Sequence, residues 1–272
     1  MYDSSTKFCL SIHSGKPSYI GKKIANLSEY EFAAEYLDAT LVEGLMVMRR
    51  MPGETLDKVM KMRNWTVEER IAISLQVALA IQKVHMGKIV HGDLKPKNIC
   101  VDPNDNFKCN VIDFGESRRL TEEGKTASSD EVRMTVEYAS PEQLRGQALD
   151  QKSDMYSFGL VLCEIWNLPH PYIFTLANTG YSREIAKRIT EDASLKKLIA
   201  CFKNETAPEE IVNLIKNNLS FNLHHRFSTM EMIKRLQNLM PVKRNFFFFK
   251  KECSSTHPIR QLPIPSPTQC LD

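Results

Sequence analysis

Two short polar segments in the middle of the chain limit its possible folds more than any other feature. The first reads HGDLKPKN over residues 91–98, and the second reads IDFG over residues 112–115. Asp93 precedes Asn98 by five residues, and Asp113 follows Asn98 by fifteen residues. Glycine, aspartate, asparagine and proline are common in ordinary loops, but chance rarely produces two linked motifs of this kind. We therefore interpret the two segments as parts of one functional site.

Together, the two segments resemble the catalytic loop and the D-F-G segment of eukaryotic-type protein kinases, whose signature is H-R-D-L-x-x-x-N followed by D-F-G. The resemblance implies transfer of the γ-phosphate of Mg·ATP to a protein hydroxyl, which depends on positioning and charge neutralisation more than on covalent chemistry. It implies that Asp93 accepts the proton of the substrate hydroxyl and that Lys95 lies beside the transferred phosphate. Asn98 and Asp113 are the implied Mg²⁺ ligands and contribute to the ATP site.

Three further segments extend the resemblance over most of the chain. The sequence TVEYASPE at residues 135–142 resembles the end of a kinase activation segment, with Ser-Pro-Glu in place of Ala-Pro-Glu. The sequence DMYSFG at residues 154–159 resembles the start of the central helix of the large lobe, where Asp154 is expected to brace the catalytic-loop backbone. Arg226 has the position of the arginine that pairs with the activation-segment glutamate, here Glu142. We expect this buried ion pair to be costly to break.

The identity of the acceptor hydroxyl is indicated by two positions of the same motifs. Lys95 lies two residues after Asp93, as in the serine/threonine branch of the family, and Thr135 fits the threonine that contacts both residues in that branch. Tyrosine kinases usually carry an arginine later in the loop. The resemblance therefore favours serine or threonine as the phosphorylated residue.

Gly92 departs from the family pattern, because it replaces the arginine that precedes the catalytic aspartate. That arginine belongs to a basic pocket that binds a phosphorylated activation loop. Hydroxyls that could still be modified in this segment are Thr121, Thr126, Ser128 and Ser129. Because their phosphates would lack the usual cationic partner, we predict that activity does not require phosphorylation of the loop.

The first 51 residues resemble the family least, because they contain no G-x-G-x-x-G loop to cover the ATP phosphates. The lysine that contacts ATP is expected at Lys22 on the basis of register, with its neighbour Lys23 as the alternative. The glutamate that pairs with this lysine is expected on the following helix. The candidates for it are Glu29, Glu31 and Glu35.

Local patterns predict short strands near the N terminus and helices after it. The predicted strands are Phe8–Ile12, Ser18–Ala25 and Leu45–Met48, with a hairpin joining the first two. Capping boxes predict a helix of about ten residues after Ser28 and another helix after Thr66. Further helices are predicted over residues 153–166, 183–202, 208–218 and 229–239.

These patterns together predict an α+β fold, namely the two-lobed protein kinase-like fold with an abbreviated N-terminal β lobe. Residues 1–240 form the predicted kinase domain, with the small β-rich lobe at residues 1–51 and the helical lobe at residues 52–240. Residues 241–272 are predicted to form a tail that is basic and aromatic at first and then proline-rich. Its four phenylalanines between basic residues fit weak contact with an anionic membrane surface, although packing on the large lobe is the preferred interpretation.

Composition excludes several other classes of protein. The net charge of +3 provides no strong basic field, so nucleic acid is not an expected partner. The seven cysteines include no C-x-x-C pair, which favours reduced thiols over a disulfide framework or a zinc site. The first thirty residues contain no secretory leader pattern, so we expect a cytoplasmic protein. The H-G-D loop also resembles bacterial eukaryotic-like kinases, including effectors injected into host cells, for which the location would be the host cytosol.

Two other functions fit parts of the sequence. A pseudokinase scaffold is supported by the missing glycine-rich loop and opposed by the retention of Asp93, Asn98 and Asp113. A small-molecule kinase of the aminoglycoside or choline type shares the H-G-D and I-D-F patterns but lacks the segments at residues 135–142 and 154–159. The sequence makes no prediction of an oligomeric state.

Overall fold

A computed structural model describes three parts of the chain in full and three short strands by their backbone alone. The backbone-only strands are residues 8–12, 36–38 and 45–49, and the fully described ranges are 50–126, 134–171 and 207–240. The chain divides into a unit of residues 1–240 and a unit of residues 241–272. All the described residues belong to the first unit, and the predicted division into lobes and tail stays a prediction.

The N-terminal strands form one antiparallel sheet in the order β1-β3-β2. The strands are β1 (Phe8–Ile12), β2 (Tyr36–Asp38) and β3 (Leu45–Arg49). The predicted strands Phe8–Ile12 and Leu45–Met48 are confirmed as β1 and β3. The predicted strand Ser18–Ala25 and its hairpin lie outside the described residues. A ten-residue helix after Ser28 would extend into β2, so its predicted length is wrong. Pairing of β2 with β3 overrides the helical pattern there.

Six helices lie in the fully described ranges. They are α1 (Leu56–Met62), α2 (Val67–Met86), α3 (Pro141–Leu144), α4 (Gln151–Ile165), α5 (Glu209–Asn218) and α6 (Thr229–Leu239). Helices α2, α4, α5 and α6 confirm predictions, and the capping box at Thr66 is present as predicted. The helix predicted over residues 183–202 lies outside the described residues. None of the helices described is long and apolar enough to cross a lipid bilayer.

Five short strands within the helical part were not predicted. They are β4 (Glu54–Thr55), β5 (Ile89–Val90), β6 (Ile99–Asp102), β7 (Lys108–Val111) and β8 (Arg118–Arg119). They form one antiparallel sheet in the order β4-β6-β7 and a second pair of β5 with β8. The two polar motifs occupy the β5–β6 and β7–β8 connections, so these strands bring the motifs together.

Helix α4 is the centre of the described core. Its completely buried apolar side chains are Met155, Tyr156, Phe158, Leu160, Val161, Leu162, Cys163 and Ile165. A helix that is apolar on every face must be enclosed by other elements, and α4 contacts α2, α5 and β5. Each such side chain stabilises the fold by about 1.5–3 kcal/mol through burial. Helix α4 therefore provides a rigid support for the loops that it contacts.

Candidate active site

The connection from β5 to β6, residues 91–98, is held by a buried carboxylate from α4. Asp154 Oδ2 accepts the His91 N–H at 2.8 Å, and Oδ1 accepts the Gly92 N–H at 3.0 Å. Oδ2 also lies 2.8 Å from His85 Nε2. Burial alone would raise the pKa of Asp154, but the hydrogen bond and charge of His85 hold it below its ordinary value. The predicted brace on the loop backbone is confirmed.

The ring of His91 joins this loop to the D-F-G segment. His91 Nε2 lies 3.0 Å from the Ile112 carbonyl oxygen, and Nδ1 lies 3.3 Å from the Asp93 backbone nitrogen. A carbonyl can only accept and a backbone N–H can only donate, so Nε2 carries the ring proton. The ring also meets Phe114 edge to face, with the ring centroids 5.2 Å apart. These contacts hold the backbone of Asp93 in place relative to the D-F-G segment.

Both carboxylate oxygens of Asp93 accept hydrogen bonds from neighbouring groups. Oδ1 accepts the Thr135 N–H at 2.9 Å, and Oδ2 accepts Lys95 Nζ at 2.6 Å and Asn98 Nδ2 at 3.2 Å. Lys95 Nζ also donates to Thr135 Oγ1 at 2.6 Å. The predicted contacts of Thr135 with Asp93 and Lys95 are confirmed. The structure therefore brings Asp93, Lys95 and Asn98 into one network with the end of the activation segment.

Asp113 lies beside Asn98 because the pairing of β6 with β7 continues past the ends of the strands. The Ile112 N–H donates to the Asn98 carbonyl oxygen at 2.9 Å, and Asp113 is the next residue. Asp113 has a left-handed backbone with φ 62° and caps the short 3-10 turn Phe114–Glu116. Asparagine and aspartate tolerate this conformation better than most residues. The turn therefore directs the chain away from the strand immediately after the site.

The polar atoms of Asn98 and Asp113 suit a Mg²⁺ ion. Asn98 donates both of its side-chain hydrogen bonds to Asp93, which leaves its carboxamide oxygen for a metal. One oxygen of Asp113 accepts the Gly115 N–H at 3.4 Å, and the side chain is exposed. Mg²⁺ prefers oxygen ligands and is commonly bound by one or two carboxylates together with substrate phosphates. The donor set is therefore one that Mg²⁺ accepts.

The residues after Thr135 are held on α4. The Tyr138 hydroxyl donates to Glu164 Oε1, and Ser157 Oγ donates to the Tyr138 carbonyl oxygen at 2.8 Å. Burial raises the pKa of the Tyr138 phenol and of the Glu164 carboxyl, and the nearby charge of Asp57 adds to both increases. The phenol therefore stays protonated and remains a donor over the physiological pH range.

Helix α3 is held by a buried ion pair. Arg226 donates to Glu142 through both terminal nitrogens, at 2.7 and 3.0 Å, and the two side chains are 0% and 4% exposed. Arg226 also donates to the carbonyl oxygens of Ser220 and Lys152. Burial alone would raise the pKa of Glu142, but its hydrogen bonds and contact with Arg226 hold it below the ordinary value. The predicted pair is confirmed.

The activation-segment hydroxyls differ in their surroundings. Thr126 is buried, its N–H donates to the Leu149 carbonyl oxygen at 2.8 Å, and its Oγ1 accepts the Leu149 N–H at 3.0 Å. A kinase could not phosphorylate this hydroxyl without breaking that pair, so the inclusion of Thr126 among the modifiable residues is wrong. Thr121 is exposed. Ser128 and Ser129 lie outside the described residues.

The predicted ATP lysine and its partners also lie outside the described residues. These are Lys22, its alternative Lys23, and the glutamates Glu29, Glu31 and Glu35. Two residues of the site were not predicted at all, namely His85, which contacts Asp154, and Gln143, which contacts the Gly92 carbonyl oxygen. His85 belongs to no sequence signature that we used. Gln143 directly follows the Ser-Pro-Glu motif, and the sequence predicted no role for it.

This fold and the network around Asp93 define a class of protein. The family model described as "Protein kinase domain" matches residues 30–236 of the chain. The chain therefore belongs to the protein kinase family, and the predicted α+β kinase-like fold is confirmed.

Several of its curated relatives are named as serine/threonine-protein kinases. The chain is 31% identical to PrkC of Bacillus subtilis over 188 residues, which are 68% of this chain and 27% of PrkC. It is 37% identical to a probable serine/threonine-protein kinase of Clostridium acetobutylicum over 203 residues, 74% of this chain and 29% of that protein. PknB of Mycolicibacterium smegmatis is 35% identical over 130 residues, 47% of this chain and 20% of PknB. The chain thus spans less than a third of each of these relatives.

Proposed function

We propose that this protein is a serine/threonine protein kinase that transfers the γ-phosphate of Mg·ATP to hydroxyls of a protein substrate. The observation that carries the proposal is the network in which Lys95 Nζ bridges the Asp93 carboxylate and the Thr135 hydroxyl. This arrangement links the catalytic loop to the segment that ends the activation loop. The names of the curated relatives support the same function.

Each residue of the network has a distinct proposed task. The Asp93 carboxylate accepts a hydrogen bond from the substrate hydroxyl, orients the oxygen and takes its proton. Lys95 already neutralises one Asp93 oxygen and places its positive charge beside the phosphate that is transferred. Because three donors fix the carboxylate before substrate arrives, little reorganisation is needed during the reaction.

The proposed nucleotide site combines Asn98, which belongs to this network, with Asp113 and Lys22. Asn98 and Asp113 would hold Mg²⁺, and Lys22 would contact the ATP phosphates. Mg²⁺ when bound neutralises the charge of the phosphate oxygens. A transfer assay distinguishes this function from the two alternatives, a pseudokinase scaffold and a small-molecule kinase.

The location of the protein and its contacts with membranes and nucleic acid are predicted from the sequence alone. A cytoplasmic location, or the host cytosol for a secreted effector, stays a prediction. So do the weak contact of residues 241–272 with a membrane surface and the lack of a nucleic-acid partner.

The test is a transfer assay with mapping of the product. The purified chain is incubated with Mg·ATP and casein as a generic acceptor, and phosphorylated residues are identified by mass spectrometry. We expect phosphate on serine and threonine, and none when Asp113→Asn replaces the wild type. The substitution keeps a residue type that tolerates the left-handed backbone at this position. Asp105→Asn, a change at an exposed turn residue, is the matched control and should behave as wild type.

Three results would overturn the proposal. Equal phosphorylation by the wild type and Asp113→Asn would assign the activity to a contaminating kinase. Nucleotide binding without any transfer to protein would favour the pseudokinase scaffold, and phosphorylation of an aminoglycoside or choline instead of protein would favour the small-molecule kinase.

A further inference from the structure

The peptide group between Gly92 and Asp93 is held from both sides. Its carbonyl oxygen, that of Gly92, accepts Gln143 Nε2 at 2.6 Å, and its N–H, that of Asp93, donates to His91 Nδ1. The preceding N–H donates to Asp154 Oδ1 at 3.0 Å. Three side chains from three parts of the chain thus fix the backbone immediately before the proposed catalytic aspartate.

This backbone position needs such restraint because it is a glycine. Gly92 has φ +78°, and a glycine can rotate about ψ with less steric restriction than any other residue. Rotation about ψ at Gly92 turns the peptide group that leads into Asp93 and so moves its carboxylate. A displacement of about 1 Å at a catalytic group can reduce a rate about a hundredfold. The hydrogen bond from Gln143 opposes that rotation directly.

Gln143 is itself fixed in the orientation that this role requires. Its side chain is buried, with 2% of the residue exposed, and its Oε1 accepts the Ser140 N–H at 3.0 Å as part of a capping box. Because the Ser140 N–H can only donate, the oxygen of the carboxamide faces Ser140 and the nitrogen faces Gly92. Glutamate also completes capping boxes, but it would present an acceptor to an acceptor at Gly92.

We propose that Gln143 is a positioning residue for Asp93, which couples helix α3 to the catalytic loop through the Gly92 carbonyl oxygen. The inference rests on the proposed kinase function. The neighbouring Glu142 is held by Arg226, so the helix that carries Gln143 has a fixed place in the large lobe. The end of the activation segment is thereby joined to the catalytic loop through an uncharged carboxamide, without a phosphate.

The test uses Gln143→Glu, which keeps the acceptor for the Ser140 N–H and removes the donor to Gly92. At pH 8 we expect kcat to fall on the order of ten- to a hundredfold, with the KM for ATP unchanged within about twofold. Burial beside a carbonyl oxygen favours the protonated form of the introduced carboxyl. Protonation recreates a donor, so the ratio of variant to wild-type kcat should increase as the pH is lowered from 8 to 5.5. The charged and titratable groups near this position are His91 and Asp93 in the loop and Asp154 on α4. Because they are the same in both proteins, the ratio removes the pH effects that the variant and the wild type share.

Two further variants separate positioning from stability. Gln143→Met keeps the length of the side chain but can neither cap nor donate, so its kcat should be reduced by a factor that does not change with pH. Glu231→Gln makes the reverse exchange at the same position of the capping box that starts α6, and its kcat should equal that of the wild type. Thermal unfolding of each variant gives the folded fraction by which kcat is corrected.

Four results would overturn the inference, and the last of them would overturn the proposed function as well. Wild-type kcat in folded Gln143→Glu at pH 8 would show that the donor is not needed. A ratio that stays constant with pH in Gln143→Glu would show that the loss does not come from the missing donor to Gly92, because the variant keeps the cap on Ser140. Wild-type kcat in folded Gln143→Met would show that the side chain does not position Asp93. Absence of transfer by the wild type itself would overturn the proposed function together with this inference, whereas an active wild type with unaffected variants overturns the inference only.

Discussion

Single residues in the catalytic loop are constrained by backbone groups as much as by side chains. An ideal Cβ built on Gly92 would lie 2.9 Å from the Glu116 carbonyl oxygen, which is closer than real Cβ atoms approach. The same residue has a positive φ, which costs other L-residues roughly 1–2 kcal/mol. Glycine at this position therefore allows the catalytic loop and the segment after D-F-G to approach closely.

This gives a prediction with a matched control. Gly124 has φ +76°, close to that of Gly92, but its Cβ position has no atom within 4 Å. Gly124→Ala should cost about 1 kcal/mol of unfolding free energy and leave kcat unchanged. Gly92→Ala should cost more and also lower kcat about tenfold or more, because the backbone beside Asp93 must shift. Urea unfolding measures the loss of unfolding free energy, and steady-state kinetics measures the loss of kcat. Equal effects of the two substitutions would contradict the close approach of Gly92 to the Glu116 carbonyl oxygen.

Contacts between residues of recognisable sequence motifs could be predicted. Contacts of residues outside such motifs could not, because they depend on the tertiary structure. The pairs formed by Asp93 with Thr135, and by Glu142 with Arg226, were predicted because each residue has a recognisable place in a motif. The bond from Gln143 to Gly92 joins residues 51 positions apart, and only the fold reveals it. Thr126 was misjudged for the same reason, since nothing in the sequence shows that Leu149 covers its hydroxyl.

Among the helices and strands, periodicity decided what could be predicted. Helices α2 and α6 begin with capping boxes, and α5 and α6 are amphipathic. Strands of two residues such as β5 and β8 contain no period to detect. Their pairing arises from the tertiary structure. The strands β6 and β7, which were also not predicted, are nevertheless what places Asp113 next to Asn98.

The attachment of α3 should depend strongly on its buried ion pair. Arg226→Met leaves the Glu142 carboxylate buried without its partner, which should cost about 3–5 kcal/mol of unfolding free energy. Arg235 pairs with Glu210 at 3.0 Å, but these side chains are 45% and 38% exposed. Arg235→Met should therefore cost no more than about 1 kcal/mol. Equal losses for the two variants in urea unfolding would show that Arg226 does not stabilise α3 as described.

The activation segment should support activity without phosphorylation. Gly92 provides no cation for a loop phosphate, and the end of the segment is already held by Lys95, Glu142 and Gln143. Enzyme treated with a phosphatase, which is then removed, should start phosphate transfer without a lag. A variant with alanine at Thr121, Ser128 and Ser129 should give the same progress curve; Thr126 is left unchanged because its hydroxyl is part of the fold.

A lag in phosphate transfer would contradict this prediction only if autophosphorylation of the activation segment removed it. The lag would have to disappear after incubation of the wild type with Mg·ATP and persist in the variant that lacks the three hydroxyls. That pattern would show that a loop phosphate assembles the site despite the glycine at position 92.

For the molecule as a whole, one histidine should make stability depend on pH. Burial lowers the pKa of His170 from 6.5 to about 4, so the folded state keeps the ring neutral where the unfolded chain binds a proton. The stabilisation is fully present above pH 6.5 and is lost as the pH falls towards 4. We expect His170 to account for a loss of about 2 kcal/mol in unfolding free energy between pH 6.5 and pH 5.

The measurement compares the wild type with His170→Phe, which retains a ring against Tyr138. The free energy of unfolding of the variant should change less over this pH range than that of the wild type. Parallel pH profiles would mean that His170 titrates alike in the folded and unfolded states. Below about pH 4.5 both proteins should lose further stability, because Glu142 and Asp154 have lowered pKa values in the fold.

The motifs that indicate the family of the chain lie between residues 91 and 226, and the structure describes most of that range in full. For residues 1–51 the sequence predicts strands, one helix and a lysine chosen by register alone, because this part of the sequence has no glycine-rich loop and no clear lysine signature. The ATP-contacting residue, for which Lys22 is our prediction, therefore depends on experiments on the nucleotide site.

The proposed chemistry depends above all on Asp93, and the rate of phosphate transfer to a serine or threonine acceptor tests it. At saturating Mg·ATP, Asp93→Asn should lower that rate on the order of 10²–10⁴-fold relative to the wild type, because the variant can no longer take the proton of the hydroxyl. Asp105→Asn should transfer phosphate at the wild-type rate. Equal rates for Asp93→Asn and the wild type would contradict the account of this protein as a kinase that acts through the Asp93 network.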